Sequence, residues 1–302
     1  MMQHSNSDNM KSWMKNIPDD VLITGISMPG THDSACRYTD FSFISQTQRL
    51  TVSEQLESGV RYFDFRFKFS EGRFLSCHSI TFCRKKRGFL NEIITAEDIV
   101  NDCIAFLEKN PSETILFQLK EEASHTGEAF FSQFYEKFIA NQPEKWYITN
   151  SIPSMGEVRG RIVLLRAVSA DREKFTDENS GIDFTSYPYV GTYNVDDWRR
   201  GELKKLSGIP YGAMLVQDSY KSEGKYKWQT VSRFMESGLD KAEFNICYTS
   251  CTRIFVPRIN VKIINKEMLR YDFKSDYCGI IAMDFINEEL CRKIVAVNFT
   301  AE

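Results

Sequence analysis

Two chemically active side chains are adjacent in the stretch GTHDSA, where His32 and Asp33 follow an apolar run. Histidine is the side chain whose charge changes most readily near neutral pH, and a neighbouring carboxylate can orient its ring and fix its tautomer. The chain has four histidines, His4, His32, His78 and His125, so few imidazoles are available for such chemistry. The adjacent pair makes His32 a candidate general acid or base.

Further ionisable residues lie at the ends of short runs whose composition is typical of β-strands. The runs that predict strands are 21–27, 61–67, 74–77, 114–119, 161–167, 213–217, 243–248 and 279–284. The polar residues at or near their ends are His32, Asp33, Asp64, Arg66, His78, Lys120, Arg166, Asp218 and Asp284. A single residue of this kind is more often a solvated boundary or a helix cap. Because burying so many charges without mutual pairing is costly, their repetition predicts a shared polar pocket.

This combination of two imidazoles, a guanidinium and several carboxylates suits phosphoryl transfer. One imidazole removes a proton from the attacking hydroxyl, and the other protonates the leaving oxygen. The guanidinium stabilises the charge on the phosphorus centre. Asp64 and Arg66 occupy alternate positions in YFDFRFKF, so both face the same side of a strand. The residues indicate that His32 and Asp33 serve opposite sides of one phosphorus.

Strand-like runs alternate with helical patterns along the chain, which predicts an α/β fold. In a β/α barrel the chemistry lies at the carboxyl ends of the strands. The clearest helical pattern covers 95–111, where Thr95 and Asp98 are spaced as a capping pair. Similar patterns at 127–143 and 227–239 have aromatic faces that we expect in the core. No linker divides the chain, so we expect a polar tail at 1–12 and a single domain at 13–302.

The composition of the chain argues against nucleic acid as a partner and bears on its location. The formal net charge of −3 argues against nucleic-acid binding. No apolar stretch approaches the roughly 20 residues that a membrane-spanning helix needs. The polar start of the chain shows no signal peptide, which leaves open a protein that stays inside the cell or a mature secreted form. We expect a monomer.

The cysteines and a basic cluster each allow more than one interpretation. The eight cysteines form no CxxC pair, and Cys247 and Cys251 only approach the spacing of zinc ligands, so we expect no zinc site. Their number favours a reducing compartment without excluding disulfides. The basic residues at 84–87 predict either a solvated loop or a site for anionic lipid or phosphate.

The chain closely resembles the bacterial phosphatidylinositol-specific phospholipases C in the segment around His78 and in the stretches ISMPGTHDSA, RYFDFRFKF, NPSETILFQLKEE, GRIVLLR, LVQDSYK and IIAMDFINEEL. The resemblance extends from about Trp13 to the C-terminus. It implies a single distorted TIM-type β/α barrel. It also implies cleavage of phosphatidylinositol, at membrane surfaces, into diacylglycerol and inositol 1,2-cyclic phosphate.

The resemblance also assigns catalytic roles. His32 would be the general base on the inositol 2-hydroxyl, with Asp284 as its partner. His78 and Asp33 would form the general acid, supported by Asp64. The phosphate would be bound by Arg66.

The inositol pocket departs from the family pattern at its arginine contact. The residues implied in this pocket are Lys120, Arg166, Asp218 and Tyr220, with Tyr220 stacking under the ring or packing in the wall. Where the family tends to show a basic pair after IVLL, this chain has Arg166 followed by Ala167. The segment after His78 also departs from the usual HHGP pattern and introduces the basic cluster, which can alter headgroup preference or surface binding.

Two rival functions use the same residues differently. A glycerophosphodiester phosphodiesterase would need a carboxylate cluster that binds a divalent metal. Arg66 stands where a calcium ligand would otherwise lie, so we predict catalysis with neither metal nor other cofactor. An inactive phosphoinositide-binding module could lose either imidazole, yet both remain.

Three apolar residues follow the first histidine in YTDFSFISQ. Phe41, Phe43 and Ile44 lie where, in the resembling family, a short helix touches lipid. They predict either core packing or a lipid-facing rim.

Overall fold

The computed structural model describes residues 9–88, 90–187, 199, 201–252 and 257–299, so most of the tail predicted for 1–12 lies outside the described residues. The strands are β1 (Met28–Thr31), β2 (Tyr38–Thr39), β3 (Tyr62–Ser70), β4 (Arg73–His78), β5 (Thr81–Arg84), β6 (Ile115–Glu121), β7 (Trp146–Tyr147), β8 (Ile162–Arg166), β9 (Ile182–Asp183), β10 (Lys204–Ile209), β11 (Gly212–Gln217), β12 (Phe244–Tyr248) and β13 (Ile280–Met283). The helices are α1 (Ser42–Ser45), α2 (Val52–Glu57), α3 (Ala96–Lys109), α4 (Glu128–Phe138), α5 (Met155–Val158), α6 (Gly224–Met235), α7 (Pro257–Arg270) and α8 (Glu288–Ala296).

Parallel strands form the wall of the barrel in the order β11, β12, β13, β1, β3, β6 and β8. β10 lies antiparallel outside β11, and both β7 and β9 pair with β8. Within the described ranges no backbone pairing joins these two edges. Side chains bridge them instead: the rings of Phe184 and Phe244 lie 5.1 Å apart, and the Tyr211 hydroxyl donates to the Asp183 carbonyl at 2.9 Å. The predicted distorted β/α barrel is confirmed.

Seven of the eight predicted strands overlap observed ones, and the first does not. Within 21–27 the residues Ile23–Gly25 form a 3-10 turn, and the first strand is β1. The run is apolar because Ile23 and Ile26 are buried in the core, and burial alone does not distinguish a strand from another buried segment. β1 itself contains Pro29 and Gly30, which normally interrupt strands. Gly30 is needed there, since a Cβ would lie 2.8 Å from the Tyr62 ring.

The three predicted helices are confirmed with shifted ends. Thr95 caps α3 through its hydroxyl, which accepts from the Asp98 amide at 3.3 Å, while the Asp98 carboxylate accepts from the Thr95 amide at 2.9 Å. α4 ends at Phe138, before the 3-10 turn that begins at Pro143. α6 begins three residues earlier than predicted.

A buried ion pair secures the end of the barrel at which β3 begins. Arg61 and Glu113 are both fully buried, and the guanidinium donates to the carboxylate at 2.8 and 3.0 Å. The same guanidinium donates to the carbonyls of Met10 and Lys11, and Glu113 accepts from the Met14 amide. These bonds tie the start of the described chain to the barrel, although Met10 falls within the predicted tail.

Candidate active site

Most of the ionisable residues predicted at the strand ends lie in or beside one cavity of about 610 Å³. Six of the ten predicted site residues line it, namely His32, Arg66, His78, Asp218, Tyr220 and Asp284. Except for His78, which ends the antiparallel strand β4, these residues lie at or near the carboxyl ends of parallel strands, and those ends meet at one end of the barrel. The apolar mouth of the cavity is formed by Phe41, Ile44 and Ile80.

His32 is held between two carboxylates. Its Nδ1 donates to Asp284 Oδ1 at 2.8 Å, and its Nε2 lies 3.1 Å from Asp33 Oδ2. Gln48, which sequence reasoning missed, secures the loop by donating to the carbonyls of His32 and Met283. Burial opposes the charged imidazole, yet the charges of Asp33 and Asp284 prevail and raise the pKa of His32 to about 9. The pair predicted for His32 and Asp284 is present in the structure.

Asp33 is the centre of the charge network. It is buried, and its carboxylate lies 2.9 Å from Arg66 Nε and 3.4 Å from His78 Nε2, in addition to its contact with His32. Burial disfavours its charged form, but Arg66 and the two imidazoles outweigh that effect and hold the pKa of Asp33 below its ordinary value. Both rings therefore point an Nε2 atom at one anionic group.

Asp64 and Arg66 face the same side of β3, as their alternation predicts. Arg66 donates to both oxygens of Asp64, at 2.7 and 3.3 Å, and Lys120 Nζ lies 3.0 Å from Asp64 Oδ1. Despite burial, these two cations hold the pKa of Asp64 well below its usual range. Asp64 thus contacts Arg66 and Lys120, and any support it gives to His78 passes through Arg66 and Asp33.

His78 ends β4 and is fixed from two sides. Its Nδ1 donates to the carbonyl of Ser45, and its Nε2 faces Asp33. The next residue, Ser79, has a φ of 56°, a left-handed conformation that is uncommon outside glycine. Glu122 holds this turn by accepting from the Ser79 amide at 2.8 Å, while its other oxygen lies 3.8 Å from Arg66.

Sequence reasoning missed Glu122, although a signal for it was present. Glu122 follows Lys120 at an alternate position just beyond β6, so the period of a strand places both side chains on one face. Burial raises the pKa of Glu122, and the opposing charge of Arg66 does not cancel that effect. Three carboxylates therefore surround the Arg66 guanidinium.

The residues predicted for the inositol pocket divide into two groups. Asp218 and Tyr220 line the cavity. Lys120 lies just behind it, with its ammonium over the rings of Tyr187 and Tyr248 at 5.4 and 5.6 Å. Tyr248, also missed, stands edge-on to the His32 ring at 5.8 Å and so forms part of the wall behind it.

Arg166, also predicted for the inositol pocket, is not among the described residues that line the cavity. It is fully buried, lies 2.8 Å from Asp183, and donates through Nε to the Ser180 carbonyl at 2.8 Å. β9 pairs with the end of β8 and brings Asp183 beside the guanidinium. Since these oxygens hold the arginine, it acts as a brace at the edge of the barrel.

One group of side chains has the donor atoms of a metal site. Within the described ranges, His32, Asp33 and Asp64 offer ligand atoms that all lie within 4.8 Å of one another. Arg66 contacts both carboxylates, so a fixed cation already takes the place where an ion would sit. Neither Cys247 nor Cys251 belongs to such a group in this part of the chain, and all eight cysteines are buried free thiols.

The chain is similar to known proteins in both sequence and structure. The family model described as PI-PLC X 1 matches residues 22–195. A 1-phosphatidylinositol phosphodiesterase of Listeria monocytogenes is 28% identical over 316 residues, covering 97% of this chain and 86% of the relative. One from Staphylococcus aureus strain Newman is 25% identical, over 59% of this chain and 58% of the relative.

Solved structures show the same barrel. The phosphatidylinositol-specific phospholipase C of S. aureus superposes with a TM-score of 0.76 at 20% identity, covering 97% of this chain and 98% of that chain. The L. monocytogenes enzyme gives 0.71 at 24% identity, over 96% of this chain and 99% of that chain. Because the family model matches more than half of its residues, the chain belongs to the PI-PLC X family of phosphatidylinositol-specific phospholipases C.

Proposed function

We propose that this protein cleaves phosphatidylinositol into diacylglycerol and inositol 1,2-cyclic phosphate by general acid and base catalysis without a metal ion. The observation that most supports this proposal is the arrangement of the two imidazoles. The rings of His32 and His78 lie 6.4 Å apart, and both face Asp33 beside the Arg66 guanidinium. That spacing suits an attacking oxygen and a leaving oxygen on opposite sides of one phosphorus.

His32 is the general base in this mechanism. With a pKa of about 9, only the neutral fraction of the His32 ring acts as a base at lower pH. Because Nδ1 donates to Asp284, that neutral ring has its free electron pair on Nε2, inside the cavity. Nε2 takes the proton from the inositol 2-hydroxyl, and the hydroxyl oxygen attacks the phosphorus. The carboxylates on either side of the ring stabilise the imidazolium that this step produces.

His78 is the general acid. Its Nδ1 hydrogen is held by the Ser45 carbonyl, so the proton available for transfer is on Nε2. That proton passes to the glycerol oxygen as its bond to phosphorus breaks, and diacylglycerol leaves as a neutral alcohol. Asp33 Oδ2 lies 3.4 Å from that Nε2. In the second product phosphorus keeps its bond to O1 and has gained a bond to O2, and this closes the five-membered ring of the 1,2-cyclic phosphate.

Arg66 provides the positive charge that phosphoryl transfer needs. A guanidinium presents several donors in a fixed plane, which matches the non-bridging oxygens of a phosphodiester. Asp33 and Asp64 hold this plane at 2.9 and 2.7 Å. A calcium ion at this position would be repelled by the guanidinium, which argues against a glycerophosphodiester phosphodiesterase.

The mouth of the cavity suits a substrate that is embedded in a membrane. Phe41, Ile44 and Ile80 line it while remaining 58, 45 and 85% exposed, and neighbouring Phe43 is 67% exposed. Such a concentration of exposed apolar residues marks an interaction surface. Within the described residues no helix is long and apolar enough to cross a membrane. The exposed apolar residues lead us to propose transient contact with the lipid surface through this rim.

The test is to follow phosphatidylinositol vesicles by ³¹P NMR, which separates cyclic from acyclic inositol phosphate. We expect the cyclic product to form equally well in EDTA and in calcium. Activity that requires calcium would favour a metal-using phosphodiesterase. Vesicle binding with no product under either condition would favour the binding module.

A further inference from the structure

A buried lysine contacts the residues on either side of Asp218, which lines the cavity, and it has no part in the mechanism above. Lys227 is fully buried in the first turn of α6. Lysine is seldom fully buried, and a positive charge in the first turn of a helix opposes the helix dipole. Since both features cost stability, the ammonium needs an explanation beyond packing.

The contacts of Lys227 converge on the end of β11. Its Nζ donates to the Gln217 side-chain oxygen at 2.9 Å and to the Ser219 carbonyl at 3.2 Å. These residues flank Asp218, so the ammonium is bonded to the chain on both sides of that carboxylate. Gln217 in turn donates to the Tyr248 carbonyl at 2.7 Å, which fixes the turn against β12.

Lys227 and Asp218 each favour the charged form of the other. Both hydrogen-bond acceptors of the ammonium are neutral oxygens, and among the described residues no carboxylate oxygen lies within 4.0 Å of it. Burial raises the pKa of Asp218, and Lys227 is the strongest of the opposing charges. Burial lowers the pKa of Lys227, and Asp218 is the strongest group acting against that effect.

We propose that Lys227 is a positioning residue that holds Asp218 ionised and aimed into the cavity, so that Asp218 accepts hydrogen bonds from the hydroxyls of a polyol headgroup. This inference rests on the proposed function. It concerns substrate binding, whereas His32 and His78 perform the proton transfers. An ionised carboxylate accepts hydrogen bonds at both oxygens, but a protonated one gives up part of that capacity. A hydrogen bond to a charged group contributes about 1.5 to 3 kcal/mol, or roughly tenfold or more in affinity.

The main test replaces Lys227 by methionine, which retains the apolar stem and removes the charge. We expect KM for phosphatidylinositol to rise about tenfold or more while kcat changes by less than about threefold. Lys225, exposed on the same helix, provides the matched control, since Lys225→Met removes an equal charge without touching Asp218. An unchanged KM in Lys227→Met, or an equal rise in Lys225→Met, would overturn the inference.

A second measurement separates a charge effect from loss of structure. With Lys227→Met the pKa of Asp218 should rise further, so KM should improve as the pH is raised, which a general loosening of the fold would not produce. The other charged groups that act on Asp218 are Lys120, His32 and Arg66, and the other titratable groups that act on Lys227 are the neutral thiols of Cys247 and Cys251 and the carboxylate of Asp284. In an Asp218→Asn background, Lys227→Met should have no further effect on KM. Independent, additive effects would contradict a role through Asp218.

The native protein provides a test that needs no stable variant. Carboxyl ¹³C NMR should show Asp218 ionised at pH 7, and finding it protonated there would refute the inference even if Lys227→Met failed to fold. Wild-type turnover of phosphatidylinositol tests the proposed function separately. If the wild type gives no product the proposed function fails, whereas normal wild-type turnover with an unaffected Lys227→Met variant defeats this inference alone.

Discussion

Replacing Asp284 by asparagine should lower the pKa of His32 while leaving the ring in place. An amide oxygen can accept the bond that Nδ1 donates to Asp284 at 2.8 Å, but it supplies no negative charge. Asp33 remains 3.1 Å from Nε2. With one of the two carboxylates removed, we expect the pKa of His32 to fall below its wild-type value of about 9.

The same change has a calculable effect on stability. A folded pKa of about 9 against an ordinary value of 6.5 corresponds to about 3 kcal/mol. Because the folded pKa is the higher one, this stabilisation is fully present below pH 6.5 and is lost as the pH rises through 9. Asp284→Asn should retain only part of this stabilisation and should lose that part at a lower pH than the wild type does.

Two measurements check this reasoning. Ring ¹⁵N NMR gives the pKa of His32 directly, and urea unfolding between pH 6 and 9.5 gives the pH-dependent stability. Asp20→Asn, at an exposed carboxylate, is the matched control and should leave both unchanged. If His32 in Asp284→Asn still titrates at the wild-type pH, the Asp284 charge does not set its pKa and the argument is refuted.

Three further outcomes follow from the site. His78→Ala should lower kcat by at least about 100-fold with an unchanged circular dichroism spectrum, whereas the exposed His125→Ala should be neutral; near-normal turnover would remove His78 as the acid. Arg66→Lys should stay poorly active with or without calcium because one ammonium cannot replace the planar guanidinium, and full activity would disprove the phosphate role. Phe43→Ala should weaken vesicle binding and spare hydrolysis of soluble inositol cyclic phosphate, while equal loss on both would indicate a folding role.

Side chains at strand ends were predictable because the sheet is parallel. An apolar run that ends in a polar residue indicates a strand whose end lies at the site. This pattern predicted Lys120, Asp218 and Asp284. The same pattern also predicts Glu122, because Glu122 follows Lys120 at an alternate position and so lies on the same face. The carbonyl of Ser45, which binds His78, is a backbone group, and no residue type reveals it.

Residues whose partners lie far along the chain were not predictable. Arg166 ends a strand as the others do, but its guanidinium points toward Asp183. Asp183 lies in a strand of two residues, which is too short to recognise from the sequence. Lys227 lies in a polar stretch at the start of a helix, where a lysine is usually solvated. Only tertiary packing against the end of β11 buries it.

The turn at the end of β1 explains why the two catalytic side chains can be adjacent in sequence. In an extended strand, neighbouring side chains point to opposite faces, so His32 and Asp33 would not meet. Asp33 instead has a φ of 43°, and its left-handed backbone turns the carboxylate back toward the His32 ring. A non-glycine residue in this region is strained and persists only where its surroundings hold it.

Thr31 and Ser34, which flank the pair in GTHDS, hold Asp33 in this conformation through hydrogen bonds. The Thr31 hydroxyl donates to Ser34 Oγ at 2.8 Å, and Ser34 Oγ accepts from the Asp64 amide at 2.8 Å. The Ser34 amide also donates to the Asp64 carbonyl at 3.0 Å, and Thr47 donates to the Asp33 carbonyl at 2.8 Å. The small hydroxyl residues thus fasten the turn to β3, the strand that carries Arg66. One short stretch therefore fixes the positions of His32, the general base, and of Asp33 relative to β3, the strand that carries Arg66.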